Sequence, residues 1–179
     1  MSYLPSLPEN ATLLDVLRAY PDAARPLLDY HEAVLRGPSP LSIAQRELLA
    51  AYVSGLNACD YCHGIHEATA QSFGVEPGTL AALLSDIDSA PVEQSMKPVL
   101  RYATTLTEEP GRVRPDDARA VLDAGWEERT LHDAAAVVGL FNLMNRLVGG
   151  LGITLSPEYV PTSSRRLADG GYSGLKDLL

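Results

Sequence analysis

Residues Glu47 to His66 read ELLAAYVSGLNACDYCHGIH, a stretch that carries Cys59-Asp60-Tyr61-Cys62 and then His66. These are the only two cysteines among 179 residues. Side chains three and four positions apart share a helical face. Cys59, Cys62 and His66 can therefore stand in one column of thiol, thiol and imidazole. Glu47, twelve residues before Cys59, belongs to the preceding helix and can reach that column from the side. Ser42-Ile43-Ala44-Gln45 reads as a capping box that starts this first helix, which is rich in helix formers and stops near Gly55. Asn57 is the expected N-cap of a second helix ending at Gly74. That puts Cys59 in a first turn, where unpaired N–H groups and the helix dipole favour a thiolate.

Outward from this pair, the chain reads as helices joined by proline and glycine. Met1 to Asn10 is an extended lead-in. Leu13 to Leu17 form a short apolar face after Thr12, broken by Tyr20-Pro21. Ala23 to Arg36 is a helix capped by Asp22 and stopped by Gly37-Pro38. His31 lies on it, with nothing nearby in sequence to complete a site, and reads as an exposed or helix-packing residue. Pro77 opens a short helix through Leu84. Ser95 to Thr107 and Pro115 to Leu122 follow, the latter with proline at its first position and acids after it. Glu127 to about Val148 is long and strongly apolar, enough to suggest a second apolar face and a symmetric homo-oligomer. No segment alternates with period two. The expectation is an all-α chain of about nine helices, one domain over 1–179, with a motif core at about 40–155 and a tail at about 156–179.

A shift of 84 residues lays Ala50, Ala51, Val53, Gly55 and Leu56 on Ala134, Ala135, Val137, Gly139 and Leu140. This echo suggests a duplicated helix pair whose second copy has lost its chemistry, since Cys59, Cys62 and His66 fall on Leu143, Arg146 and Gly150.

The formal net charge is −9 and the pI about 4.8, which argues against nucleic acid and anionic membrane surfaces as partners. The first ten residues have no basic or apolar signal region, and the longest apolar run, Ala134 to Phe141, is too short to span a bilayer. A cytoplasmic setting is the default expectation. There a lone Cys-x-x-Cys is redox-active or metal-binding more often than structural. A structural zinc wants four ligands. Cys59, Cys62 and His66 give three, with Glu47 or water as the fourth, so the expectation is no bound metal and no cofactor. In the redox reading one thiolate attacks an oxidant and the other closes a disulfide. His66 is one turn from Cys62 and can take its proton. Helix-dipole stabilisation of Cys59 is typically under about 1 kcal/mol at an exposed end, whereas general-base assistance contributes roughly 10²–10⁴ in rate. Cys62 is therefore the expected attacker and Cys59 the resolver. Asn142, Asn145 and Arg146, polar on an apolar helix, need partners and are expected to brace the thiol helix or a subunit contact.

The spacing Glu47-x11-Cys59-x-x-Cys62-x-x-x-His66 resembles the alkyl hydroperoxidase D and carboxymuconolactone decarboxylase superfamily, and more closely its peroxidase-related branch. Asn142-x-x-Asn145-Arg146, Gly152-Ile153, Arg165-Arg166-Leu167 and Gly171-Tyr172 are similar to later parts of that branch. The best-known members carry a histidine between the two cysteines, where this chain has Tyr61; Tyr61 either donates a hydrogen bond in its place or only packs. The resemblance implies a helical fold with an internal duplication. It also implies a thiol peroxidase with Cys62, Cys59, His66 and Glu47 as its working residues, in which His66 relays a proton from Cys62 to Glu47. A trimeric or hexameric assembly and a lipoyl- or thioredoxin-like dithiol reductant would go with it. Two other classes fit the same residues: a non-redox lactone decarboxylase-like enzyme, against which the Cys-x-x-Cys argues, and a redox-sensing or metal-binding protein without turnover.

Overall fold

The computed structural model describes residues 2–179. It contains nine α-helices: α1 (Leu13–Ala19), α2 (Pro21–Leu35), α3 (Ile43–Leu56), α4 (Asp60–Ser72), α5 (Thr79–Ser85), α6 (Met96–Glu108), α7 (Pro115–Asp123), α8 (Glu128–Gly150) and α9 (Val160–Gly170). Three 3₁₀ turns, Pro110–Arg112, Pro157–Tyr159 and Ser173–Leu178, complete the set. Among the described residues there is no strand, so the fold is all-α as the sequence implies. No helix among them is long and apolar enough to cross a membrane.

α3 is the central helix. Every residue from Arg46 to Ser54 is buried, because α2, α4, α5, α6 and α8 pack around it. A helix apolar on nearly all sides can only be satisfied in such a position. Leu49 and Val53 are fully enclosed, and each such side chain contributes about 1.5–3 kcal/mol. The capping box that starts α3 forms as read: Ser42 Oγ accepts the Gln45 N–H at 3.1 Å, and Gln45 Oε1 accepts the Ser42 N–H at 2.8 Å. A second box at Thr12 and Asp15 starts α1.

Several boundaries differ from the sequence reading. Asn57 does not cap α4; it closes α3, and Cys59 is the N-cap of α4. The reason is long-range. The Asn57 amide donates to Asn142 Oδ1 at 3.2 Å and to Asn145 Oδ1 at 2.9 Å, both on α8. Its side chain is thus unavailable to the next helix. Ala58 makes the turn with φ 51°, a left-handed conformation that costs a non-glycine residue about 1–2 kcal/mol. α2 starts earlier than expected, with Pro21 rather than a capping Asp22 at its head. α5 starts at Thr79 after Gly78 in the left-handed region. The echo pairs α3 with the first part of α8, but α8 runs unbroken to Gly150, so the break at Asn57–Cys59 has no counterpart.

α8 also buries its apolar residues within the chain: Ala134, Val137, Val138, Leu140, Phe141, Met144 and Val148 are all enclosed, and Leu143, half exposed, is the large apolar exception. Its length therefore does not imply a second face, which removes the sequence argument for an oligomer. The tail is not an appendage. α9 packs on α4, and the last 3₁₀ turn packs on α2 and α9. The chain enters that turn at Gly171, φ 60°, where a Cβ would come within 2.7 Å of the Glu32 carboxylate. Glu32 uses that closeness to accept the N–H groups of Tyr172 and Ser173 at 2.7 and 2.9 Å.

Candidate active site

Glu47 has no solvent exposure, which rules out the alternative of a surface glutamate on a first turn. Its Oε2 accepts the Nδ1–H of His66 at 2.7 Å. Its Oε1 takes the Arg36 guanidinium at 2.6 Å and the Tyr172 hydroxyl at 3.0 Å. Burial alone would raise this carboxyl, but His66 and Arg36 outweigh it and hold it below the usual carboxylate range. An ionised carboxylate at Nδ1 fixes the tautomer of His66 and leaves Nε2 as the basic nitrogen.

Arg36 sits where α2 ends. It also donates to the carbonyls of Leu35 and Leu167, each at 3.0 Å, and lies over the rings of Phe73 and Tyr172 at 5.2 and 5.0 Å. One guanidinium thus ties α2, α3, α4, α9 and the C-terminal turn to one carboxylate. Arg46, also buried, donates to Val34 O and Gly37 O and holds the α2–α3 connection.

The two thiols open on different sides. Cys62 is 3 % exposed and lines an inner apolar cavity of about 60 Å³, together with His66, His31, Phe141, Met144 and Tyr172. Cys59 is half-buried and lines an open groove of about 350 Å³ with Asn57, Asp60, Asn145, Gly149 and Thr154. Both cysteines are reduced. The hydrogen bond from the Cys62 thiol, together with the Cys62 backbone N–H and the Asn145 amide, lowers Cys59 to about 6 against the opposing effect of burial. The same shared hydrogen bond, burial and the neighbouring Cys59 charge push Cys62 well up. Cys59 is therefore the more acidic thiol of the pair and Cys62 the less acidic. Asn145 is itself held in place on both sides, its amide donating to Ser54 Oγ at 3.0 Å and its carbonyl accepting from Asn57. The expected brace from α8 to the thiol helix is present in Asn145.

Tyr61 does not reach the thiols by a hydrogen bond. Its hydroxyl accepts the Leu13 N–H at 3.2 Å, and its ring leans on Tyr159 at 6.4 Å. It belongs to the wall between the inner cavity and the outer groove, lining both, and ties α1 over the site. His63 is partly exposed, 3.9 Å from Glu67, and the exposed His132 pairs with the buried Asp133 carboxylate at 2.9 Å. Among the described residues no group of three or more His, Cys, Asp or Glu side chains is placed to hold a metal ion. Cys59 opens to the other side of α4, and His66 Nδ1 is already committed to Glu47.

Three residues escape the sequence reading. Arg36 and Tyr172 complete the Glu47 cluster, although Gly171-Tyr172 is visible in the sequence as a tail similarity. His31 is buried, with 4 % exposure, and stands in the inner cavity. Its ring is 5.1 Å from Tyr172 and 6.3 Å edge-on from Phe141. His66 flanks the same Phe141 ring at 4.5 Å.

Residues 21–104 match the carboxymuconolactone decarboxylase family. No match to the sequence was found among curated proteins. Among solved structures, a peroxidase-related protein from Silicibacter sp. TM1040 superposes with a TM-score of 0.77 at 24 % identity, over 83 % of this chain and 78 % of that one. A peroxidase-related protein with an alkylhydroperoxidase AhpD core from Ralstonia eutropha JMP134 gives 0.76 at 23 %, with coverages of 83 % and 78 %. The debrominase Bmp8, in complex with 2,3,4-tribromopyrrole, gives 0.72 at 12 %, with coverages of 87 % and 81 %. At these identities the structures speak for the fold, an AhpD-like all-α fold, and the carboxymuconolactone decarboxylase family match covers residues 21–104 of the chain.

Proposed function

We propose that the protein is a thiol-dependent peroxidase that cycles Cys59 and Cys62 between dithiol and disulfide. The observation that carries this reading is the division of the two thiols. Cys62 shares an apolar cavity with an imidazole oriented by a buried carboxylate, and Cys59 faces an open groove as the more acidic thiol.

In the cycle, a peroxide ROOH enters the inner cavity. His66 Nε2 takes the Cys62 proton, and Cys62 Sγ attacks the terminal peroxide oxygen. An S–O bond forms and the O–O bond breaks; sulfur loses two electrons and the peroxide gains them. The departing RO⁻ takes the proton back from His66 as ROH. Cys59 thiolate then attacks the sulfenic sulfur. The disulfide closes, and the hydroxide released is protonated to water. An external dithiol attacks the disulfide from the open groove at Cys59 and returns both thiols, itself becoming a disulfide.

The state of Glu47 refines the relay. A carboxylate paired with Arg36 and held below its usual range is a poor final acceptor for a proton. Glu47 therefore orients His66 and stabilises its imidazolium, as the carboxylate does in a catalytic triad, and the proton stops on His66. A lipoyl- or thioredoxin-like reductant, and a trimeric or hexameric assembly, are proposed on the superfamily resemblance.

The test is hydroperoxide consumption by the reduced protein with several dithiols, a brominated pyrrole being run beside the peroxides. Turnover of hydroperoxide that requires both cysteines supports the reading. Turnover of the halide alone would move the chemistry from oxygen to halogen, and turnover of a lactone would make the enzyme decarboxylase-like.

A further inference from the structure

The inner cavity holds a second imidazole that the proposed cycle does not use. The His31 ring lies within hydrogen-bond distance of one partner among the described residues, the Leu27 carbonyl, at 2.8 Å from Nδ1. A carbonyl can only accept, so Nδ1 carries the proton and Nε2 is a bare lone pair. Burial lowers this imidazole to about 4, with the Leu27 carbonyl pulling the other way. It stays neutral at physiological pH, and Nε2 stays an acceptor. The groups facing it are Tyr172 and Phe141 through their rings, with His66 and Glu47 beyond. None of them supplies Nε2 with a donor. His31 lines the cavity, so an Nε2 that has no protein donor among the described residues is open to a water or a ligand there.

The rest of the lining is mostly aliphatic and aromatic, with Leu13, Leu17, Leu28, Ile65 and Met144 around His31, Cys62 and His66, and Ser163 and Arg166 as its other polar members. At about 60 Å³ the cavity admits one end of an apolar body, whose orientation few polar groups can fix.

We infer that His31 Nε2 is the hydrogen-bond acceptor that orients the ligand of this cavity, an apolar organic molecule bearing one hydroxyl-type donor. Joined to the peroxidase reading, on which this last step rests, the donor is the terminal O–H of an organic hydroperoxide. The terminal oxygen keeps its hydrogen throughout, passing from ROOH to the sulfenic acid, so His31 neither gains nor loses a proton. It holds that oxygen toward Cys62 while His66 handles the mobile proton.

Benzyl alcohol and ethylbenzene have the same heavy-atom skeleton and differ in the donor, so they serve as probes. In the reduced wild-type protein, the ¹⁵N resonance of His31 Nε2 should shift on addition of benzyl alcohol and not of ethylbenzene. The ratio of the two affinities should fall about tenfold in His31→Leu, the worth of one ordinary hydrogen bond, and recover in part in His31→Gln, which keeps an acceptor. The rate of Cys62 oxidation by benzyl hydroperoxide should fall by a similar factor in His31→Leu, with the oxidation rate by hydrogen peroxide less affected. Equal response of Nε2 to both probes, or an unchanged affinity ratio in a folded variant, overturns the inference. Because the probe arm needs no turnover, a His31-dependent alcohol preference in a protein that consumes no hydroperoxide would keep the cavity assignment and sink the peroxidase reading instead. The wild-type resonance decides the matter even where a variant fails to fold.

Discussion

Cys62 and Cys59 are three residues apart, yet they inhabit different chemical surroundings. The inner thiol meets an apolar cavity, two imidazoles and a buried ion pair. The outer thiol meets an open groove, a helix N-terminus and an amide brace. In the proposed cycle the same turn of α4 offers a dry side to the oxidant and a wet side to the reductant. What differs is the proton. On the inner side it must be removed at the moment of attack, which calls for a base. On the outer side the thiol is the more acidic of the two, which in the proposed cycle suits the sulfur that attacks the sulfenic acid.

The largest expected effect removes the base. His66→Gln should slow Cys62 oxidation by about 10²–10⁴-fold, read as single-turnover loss of thiol, while Cys59 alkylation stays close to wild type. Equal slowing at both thiols would erase the distinction between the two sides.

Next comes the ion pair. Glu47→Gln leaves the Arg36 charge buried without its partner, and breaking such a pair typically costs about 3–5 kcal/mol. Chemical denaturation should show that loss at neutral pH. The Glu47 carboxyl is held below its unfolded value. Its contribution is therefore present above the ordinary carboxylate range and disappears as pH falls through the lowered value. Wild type and variant should converge in acid, and a constant gap down to the lowest pH would show that the ion pair is not what Glu47 contributes.

Tyr172→Phe deletes a single hydrogen bond to an ionised carboxylate while the ring keeps its place over Arg36. A stability loss of about 1.5–3 kcal/mol is expected, together with a modest fall in peroxide rate. A fall as large as that of His66→Gln would make Tyr172 a proton donor in its own right.

The smallest effect is a displacement along the pH axis. Alkylation requires the thiolate, so Cys59 should react with iodoacetamide along a curve with its midpoint near pH 6, where the Cys62 hydrogen bond and the helix N-terminus place it. Cys62 should gain reactivity only in strong alkali. Peptide mapping after pulse alkylation separates the two, and matching midpoints would contradict the contrast between the sides.

How much of this is legible in the sequence follows the range of the interactions. The α3–α4 pair, its capping box and the Cys59–Cys62–His66 column are local, so spacing and cap chemistry announce them. Glu47 is also placed rightly beside His66, because its distance along the chain puts it on the neighbouring helix. Arg36, His31 and Tyr172 are not found this way, since what makes each one matter is a partner brought in by tertiary packing: Tyr172 meets Glu47 across 125 positions. Asn57 shows the same cause working in reverse. A good N-cap by type, it is captured by Asn142 and Asn145 on α8, and Cys59 takes the cap position. The long apolar α8 looks surplus to one chain only because the depth of the core around α3 cannot be read from a helix pattern.

The central claim is that oxidation begins on the inner sulfur. Reduced Cys59→Ser and Cys62→Ser, each given one equivalent of organic hydroperoxide in the presence of a sulfenic-acid trap and mapped by mass spectrometry, test it directly. The expected result is a trap adduct on Cys62 in Cys59→Ser, and a largely unoxidised Cys59 in Cys62→Ser despite its greater acidity. An adduct on Cys59 in Cys62→Ser, formed at the wild-type rate, would contradict the claim and place the first step in the open groove.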